Sequence, residues 1–264
     1  MFPKIRIAHL LRPLIERVSR GRVLRRRLPA DFNRLPLYVT PEAGLRYWLS
    51  MPRVDPVLYR MCKEMVKPSS CVWDVGANVG LFSFCAASLS GKSGYVLAIE
   101  PDIWLANLIQ KSAQLWRDSG YEAATVAVLC SAASDSQDIE ALQIAERSRA
   151  ANFLKGASGS RQSGAIRGEQ LSLSVQLDFL LRYFRPPSVL KIDVETHEVH
   201  VLRGANEILR THRPIIWCEV APHNVVAVFE LLTAAKYSLF NAESKEPLTG
   251  GRANWNTLAI PSET

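Results

Sequence analysis

Val72-Trp73-Asp74-Val75-Gly76-Ala77-Asn78-Val79-Gly80 is the stretch from which the rest of the chain is read. An apolar run ends in an acid, Asp74, then meets two glycines around Ala77 and Asn78, and Leu81-Phe82-Ser83-Phe84 follows as the opening of a helix. A strand that feeds a helix through a glycine-rich turn leaves bare backbone open to a ligand, because glycine has no Cβ to collide with it. About twenty residues on, a second apolar run from Tyr95 ends at Ile99-Glu100-Pro101. In a doubly wound sheet that position carries the carboxylate that grips ribose hydroxyls, so the pair predicts a nucleoside-containing cofactor.

Working outward, short apolar runs alternate with helical patterns, the mark of a parallel sheet covered on both faces. Strands are predicted near 72–75, 95–99, 125–131, 189–194 and 215–220. Helices are predicted near 80–89, 103–118, 175–184, 198–210 and 224–235. Upstream, residues 35–49 and 57–66 read as a short strand and a covering helix. Residues 134–171, rich in Ser, Gly, Ala and Arg, show no period and read as an insertion of short strands and loop. Two late strands, 237–241 and 257–260, joined across a turn-rich stretch, predict an antiparallel edge.

At 264 residues with 48% hydrophobic content the chain can bury one large core. Its formal charge of +7 is concentrated: residues 1–34 carry ten Lys and Arg against Glu16 and Asp31, a net +8, leaving the other 230 residues near −1. The expected organisation is a basic extension, residues 1–34, before one α/β domain, residues 35–264. Ile7, Leu11, Leu14 and Val18 recur at helical spacing among arginines, which suits peripheral contact with an anionic membrane or a partner, or equally an ordinary surface helix interrupted by Pro13. Five cysteines without CxxC spacing read as reduced thiols of a cytoplasmic protein, and no uncharged window is long enough to span a bilayer.

The turn itself narrows the cofactor. Its spacing is G-x-N-x-G rather than the G-x-G-x-x-G of a dinucleotide site. Asp74 lies beside it, and an acid there suits the ammonium and sulfonium of S-adenosylmethionine better than a pyrophosphate.

DVGANVG at 74–80, AIEPD at 98–102, AASD at 132–135, LDFL at 177–180 and LKIDVETHEVHVLRGA at 190–205, followed by Pro214 and Glu219, resemble the FkbM family of S-adenosylmethionine-dependent methyltransferases. The resemblance runs from about residue 35 to residue 259. It implies a doubly wound, mostly parallel seven-stranded sheet of the class I, Rossmann-like type, and methylation of a hydroxyl on a sugar, glycan, lipid-linked glycan or natural product. By resemblance and position, Asp74, Gly76, Ala77, Asn78 and Gly80 surround the methionine moiety, Glu100 takes the ribose, and Ser134 and Asp135 lie near adenine. One departure stands out: the family usually has glycine after the acid of KIDVE, and this chain has Thr196.

A second constellation carries the chemistry. Lys191, Asp193 and Glu195 alternate along one strand and share a face; Glu198 opens the next helix and Glu219 ends the neighbouring strand. Crowded carboxylates raise at least one pKa, which suits a general base. Asp193 or Glu195 is the expected proton acceptor, with Glu198 and His197 positioning the hydroxyl. A divalent metal on the same oxygens, or a plain buried Lys191–Asp193 pair with Glu198 capping its helix, reads the same residues differently. The basic extension alone favours a nucleic-acid methyltransferase, but the N/D-P-P-Y and Pro-Cys motifs of such enzymes are missing; a non-catalytic nucleoside-binding protein is the remaining alternative.

Overall fold

The computed structural model describes residues 17–48, 51–156 and 165–262. The amphipathic stretch around Ile7, Leu11 and Leu14 lies outside the described residues.

The chain enters through an antiparallel ribbon, β1 (Leu24–Arg27) on β2 (Pro36–Val39), joined through Asn33 and Arg34, both with positive φ. Leu28 and Phe32 of this connection are buried in the same core as α1 (Pro56–Met65), so the ribbon straddles residue 34 and packs with the domain. Arg25, Arg26 and Arg27 sit in β1, and Arg26 donates to the carbonyls of Tyr47 (3.1 Å) and Trp48 (3.2 Å).

The central sheet is built from β3 (Cys71–Val75), α2 (Leu81–Ser90), β4 (Tyr95–Ile99), α3 (Ile103–Asp118) and β5 (Thr125–Leu129), then β10 (Val189–Ile192), α5 (Glu198–Arg203), β11 (Ile215–Glu219), α6 (Val225–Ala234), β12 (Tyr237–Asn241) and β13 (Asn256–Pro261). Between them come β6 (Ala132–Ala133), β7 (Asp138–Ala145), β8 (Phe153–Leu154), β9 (Ile166–Val175) and α4 (Leu177–Leu180). The seven strands lie in the order β12-β13-β11-β10-β3-β4-β5. Six of them run in one direction; β13 alone runs against them and sits between β11 and β12 rather than outermost. Alternate residues feed two cores: Val72 and Val96 face one layer, while Trp73, Leu97 and Ile99 face the other. Both strand tryptophans, Trp73 and Trp217, are fully buried packing residues.

The chain moves outward from β3 to β5 and returns to place β10 on the other side of β3. The carboxyl ends of β3 and β10 therefore flank the point where strand order reverses, the usual crevice for a ligand in an open α/β sheet. Their register sets Lys191 beside Asp74.

The aperiodic insertion folds as a four-stranded sheet, β6-β9-β7-β8. β9 extends through Val175, which shortens the helix expected at 175–184 to α4. The helix expected at 198–210 stops at Gly204, where a Cβ would lie 2.0 Å from the Ser134 carbonyl, and resumes as a single wide turn at Ile208–His212.

Candidate active site

The turn after β3 is left-handed at Gly76 (φ +77°), Asn78 (+56°) and Gly80 (+79°). A Cβ on Gly76 would lie 1.8 Å from the Asp193 carbonyl oxygen, so this glycine is required by the close approach of the β10 end as well as by its φ. Gly80 does not line the cavity described below; a Cβ there would press on Phe84 and Ile109. Glu100 is buried and accepts from the backbone N–H of Asn78 (2.7 Å) and of Asp102 (2.9 Å). Burial, reinforced by the charges of Asp102 and Asp74, outweighs those two bonds and pushes its pKa up to about 8.

Beside the turn, Asp74 is fully buried and faces inward. Its Oδ2 accepts from Ser83 Oγ (2.5 Å), and its Oδ1 lies 3.1 Å from Lys191 Nζ. Lys191 Nζ also lies 3.4 Å from Asp193 Oδ2 and donates to the Gly76 carbonyl (3.2 Å). Burial by itself would discharge this lysine, but Asp74, Asp193 and Glu219 together hold its pKa above the usual lysine value. Glu219 is raised as well: burial and the nearby Asp193 push its pKa up to about 9, with Lys191 opposing.

Past Asp193 the backbone turns left-handed at Glu195 (φ +42°) and Thr196 (φ +76°). Glu198 holds this turn from behind. Its Oε1 accepts from Thr196 N (2.9 Å) and its Oε2 from Asn224 Nδ2 (2.5 Å), which also donates to the Thr196 carbonyl (2.9 Å). It is buried, and burial raises its pKa.

A cavity of about 890 Å³ opens over this edge. Gly76, Ala77, Asn78, Glu100, Asp193 and Glu195 all line it, as do Lys191, His197 and Glu219. Asp74, Gly80, Ser134, Asp135 and Glu198 do not. Ser134 and Asp135 instead support a pair of stacked imidazoles. Ser134 Oγ lies 3.1 Å from His197 Nε2, Asp135 Oδ2 lies 3.0 Å from His200 Nδ1, and the two rings are 4.4 Å apart at 13°. Burial and the neighbouring His200 bring His197 down to about 4, so it is neutral at physiological pH. From β5 onward the cavity is lined by Ser131, Ala132 and Ala133.

The opposite wall comes from residues the sequence did not mark as a site: Arg46, Tyr47 and Asp55 before the sheet, and Arg147 and Arg149 in the insertion. Asn152 and Phe153 line it too. Asp55 had a local signal, as an Asp-Pro helix start; its carboxylate caps α1 at Leu58 N (2.9 Å). Arg149 Nη1 contacts the fully buried Asp102 (2.5 Å), Asn152 Nδ2 donates to the same carboxylate (2.8 Å), and the Arg149 guanidinium lies 4.8 Å over Trp104. Arg149 and Arg167 both meet Glu42, which also accepts from Gly21 N (2.7 Å). Among the described residues no group of three His, Cys, Asp or Glu side chains is arranged to hold a metal ion.

The family described as "Methyltransferase FkbM domain" matches residues 74–239, more than half the chain, from the inward acid of β3 to the middle of β12. The chain belongs to this family. Membership makes it a methyltransferase domain with S-adenosylmethionine as its cofactor. Among solved structures the FkbM protein resembles an FkbM methyltransferase from Methylobacillus flagellatus (14% identity, TM-score 0.46, covering 76% of this chain and 49% of that one). It also resembles a precorrin-6y C5,15-methyltransferase from Geobacter metallireducens (12%, TM-score 0.46, 81% and 90%) and an S-adenosylmethionine-dependent O-methyltransferase from Thermotoga maritima (12%, TM-score 0.44, 87% and 75%). The chain spans about half the length of the Methylobacillus protein. No curated protein matches it.

Proposed function

We propose that this FkbM domain methylates a hydroxyl group on a sugar, glycan, glycolipid or natural product. The observation that carries the proposal is the meeting of Asp193, Glu195 and Glu219 in one cavity wall with the Gly76–Asn78 turn and Glu100.

The residues at the edge fit the cofactor. Asn78 Oδ1 and Ser131 Oγ are buried without hydrogen-bond partners, and both residues line the cavity. Orphaned polar atoms of this kind are stabilised by a polar ligand. Each Glu100 oxygen accepts one N–H and keeps a lone pair for a ribose hydroxyl. When bound, the cofactor supplies an electrophilic methyl group on a sulfonium. Asp74 acts indirectly, by fixing Lys191; Ser134 fixes His197 at the cavity wall, and Asp135 holds His200, the ring stacked on it.

Asp193 and Glu195 are the residues assigned to take the hydroxyl proton. Glu219 lines the same wall in a different role: burial and Asp193 push its pKa up to about 9, so near neutrality it holds its proton and can donate a hydrogen bond rather than act as the base. Lys191, charged and buried between Asp74 and Asp193, fixes the orientation of Asp193. Glu198 positions the loop that presents Glu195. Arg149, Asn152 and Phe153 line the same cavity.

The test is methyl-labelled cofactor supplied with panels of glycans, lipid extracts and hydroxylated small molecules. With an acceptor in hand, Asp193→Asn or Glu195→Gln is expected to cost about a hundredfold or more in turnover. Full turnover in both variants removes the proton-accepting role from them. Label appearing on nitrogen or carbon, rather than oxygen, overturns the assignment of acceptor class.

A further inference from the structure

Among the described residues, the cavity wall presents a cation that its surroundings leave largely unspent. Lys191 is committed to Asp74 and Asp193, and Arg149 to Asp102 and Glu42. Arg46 lines the same cavity, is exposed, and has no carboxylate partner among the described residues. Among the described residues its hydrogen bond runs from Nη1 to the Val54 carbonyl (3.0 Å). A guanidinium carries five N–H donors in a fixed fork, so most of this one remains available to a ligand.

The placement is built rather than incidental. Arg46 lies in a short 3-10 turn, Leu45–Trp48, whose neighbouring Tyr47 is buried in the core. Arg26 ties the end of the turn by donating to the Tyr47 and Trp48 carbonyls, and Trp48 Nε1 donates to Ser19 Oγ (2.8 Å). The basic residues ahead of the sheet thus fix the turn that presents Arg46. Asp55, Asp193 and Glu195 place carboxylates elsewhere on the cavity wall, where Lys191 and Arg149 are already paired. An anion entering it is repelled from those positions and has Arg46 as a matching partner, in the bidentate geometry that suits carboxylate and phosphate.

We infer that Arg46 is an anion-binding residue of the cavity, receiving a carboxylate or phosphate group of a bound ligand. This rests on the reading of the cavity as the cofactor and acceptor site. Two sources supply the chemistry: the amino-acid carboxylate of the cofactor, or an acidic group on the acceptor.

Calorimetry separates them. S-adenosylhomocysteine carries the carboxylate, and 5′-methylthioadenosine presents the nucleoside and thioether without it. If the cofactor is the source, Arg46→Ala weakens S-adenosylhomocysteine by about tenfold or more and leaves 5′-methylthioadenosine unchanged, and Arg46→Lys restores part of the loss. If the acceptor is the source, S-adenosylhomocysteine is unchanged, while inorganic pyrophosphate binds the S-adenosylhomocysteine-saturated wild type and not Arg46→Ala. The inference is overturned if Arg46→Ala weakens both nucleosides equally, which marks a structural role. It is also overturned if S-adenosylhomocysteine is unchanged and no anion binding depends on Arg46. Failure of wild type to bind S-adenosylhomocysteine strikes the cavity assignment itself and is seen before any variant is made.

Discussion

The two walls of the cavity are held by different means. On the sheet edge, backbone register does the work: β3 and β10 run side by side, so Asp74 meets Lys191, and Gly76 meets the Asp193 carbonyl, with the charges buried and mutually neutralised. The facing wall has a short ladder behind part of it, the β7–β8 pairing at Phe153 and Leu154, and no strand behind Arg46 or Arg149. Side chains latch it in place: Arg26 on the carbonyls of Tyr47 and Trp48, Arg149 on Asp102, and Arg167 on Glu42. A parallel sheet fixes one half of the site to the precision of its strands. The other half rests on a handful of ion pairs and can change without disturbing the sheet.

Lys191→Met tests the sheet side most severely. It leaves Asp74 buried without its cation, and removing one partner of a buried pair costs about 3–5 kcal/mol. Urea denaturation should show a cooperative loss of that size for the whole domain. A change below about 1 kcal/mol means that the register at this junction does not depend on the pair.

Glu100 gives the same wall a pH signature. Its folded pKa is raised, so the fold favours the protonated carboxyl. That contribution is fully present below the ordinary value of 4.5 and is lost as pH rises through about 8. Stability of the ligand-free protein should therefore fall between about pH 5 and 9, by an amount on the order of 5 kcal/mol, and Glu100→Gln should flatten the fall. Ribose hydroxyls favour the charged form, so affinity for S-adenosylhomocysteine should rise over the same window in wild type only. An unchanged pH slope in Glu100→Gln assigns the titration elsewhere.

The latched wall should respond locally. Arg149→Ala removes the cation from Asp102, which keeps Asn152 and the backbone N–H of Trp104 (2.9 Å). A lost hydrogen bond to a charged group costs about 1.5–3 kcal/mol. Hydrogen exchange should accelerate in residues 142–154 while β3 and β10 keep their protection. A uniform acceleration across the sheet would erase the distinction between the walls.

The same distinction explains what the sequence reveals. The strands at 71–75, 95–99 and 189–192 are mostly apolar runs with an acid, Asp74, Glu100 or Asp193, at or just past the carboxyl end, and both periodicity and motif reach them. Asp193, Glu195, Glu100 and the Gly76–Asn78 turn are found there for the same reason. Arg46 and Arg149 are invisible to such a reading, because nothing local separates an arginine that faces a cavity from one in solvent. Asp74 illustrates the converse. Its place beside the turn, which makes it an expected cofactor contact, also fits an inward side chain, and the structure pairs it with Lys191. Residues 134–171 carry no period because β7 and β9 expose part of their outer face: Ile139, Leu171 and Leu173 are solvent-facing while Leu142 is buried.

The smallest expected effect is at Thr196, where the family resemblance predicts glycine. Its φ of +76° costs a β-branched residue on the order of 1–2 kcal/mol, and its hydroxyl is buried without a partner. Glu198 and Asn224 hold the residue there by bonding its N–H and carbonyl. Thr196→Gly removes both penalties and adds back some unfolded-chain entropy, for a net gain of about 1 kcal/mol, or roughly 2–4 °C in melting temperature. Thr196→Ala removes the orphan hydroxyl and keeps the left-handed backbone, so it should recover only part of that gain. If the alanine variant gains as much as the glycine, the cost at this position lies in the hydroxyl alone, and the turn that presents Glu195 is unstrained.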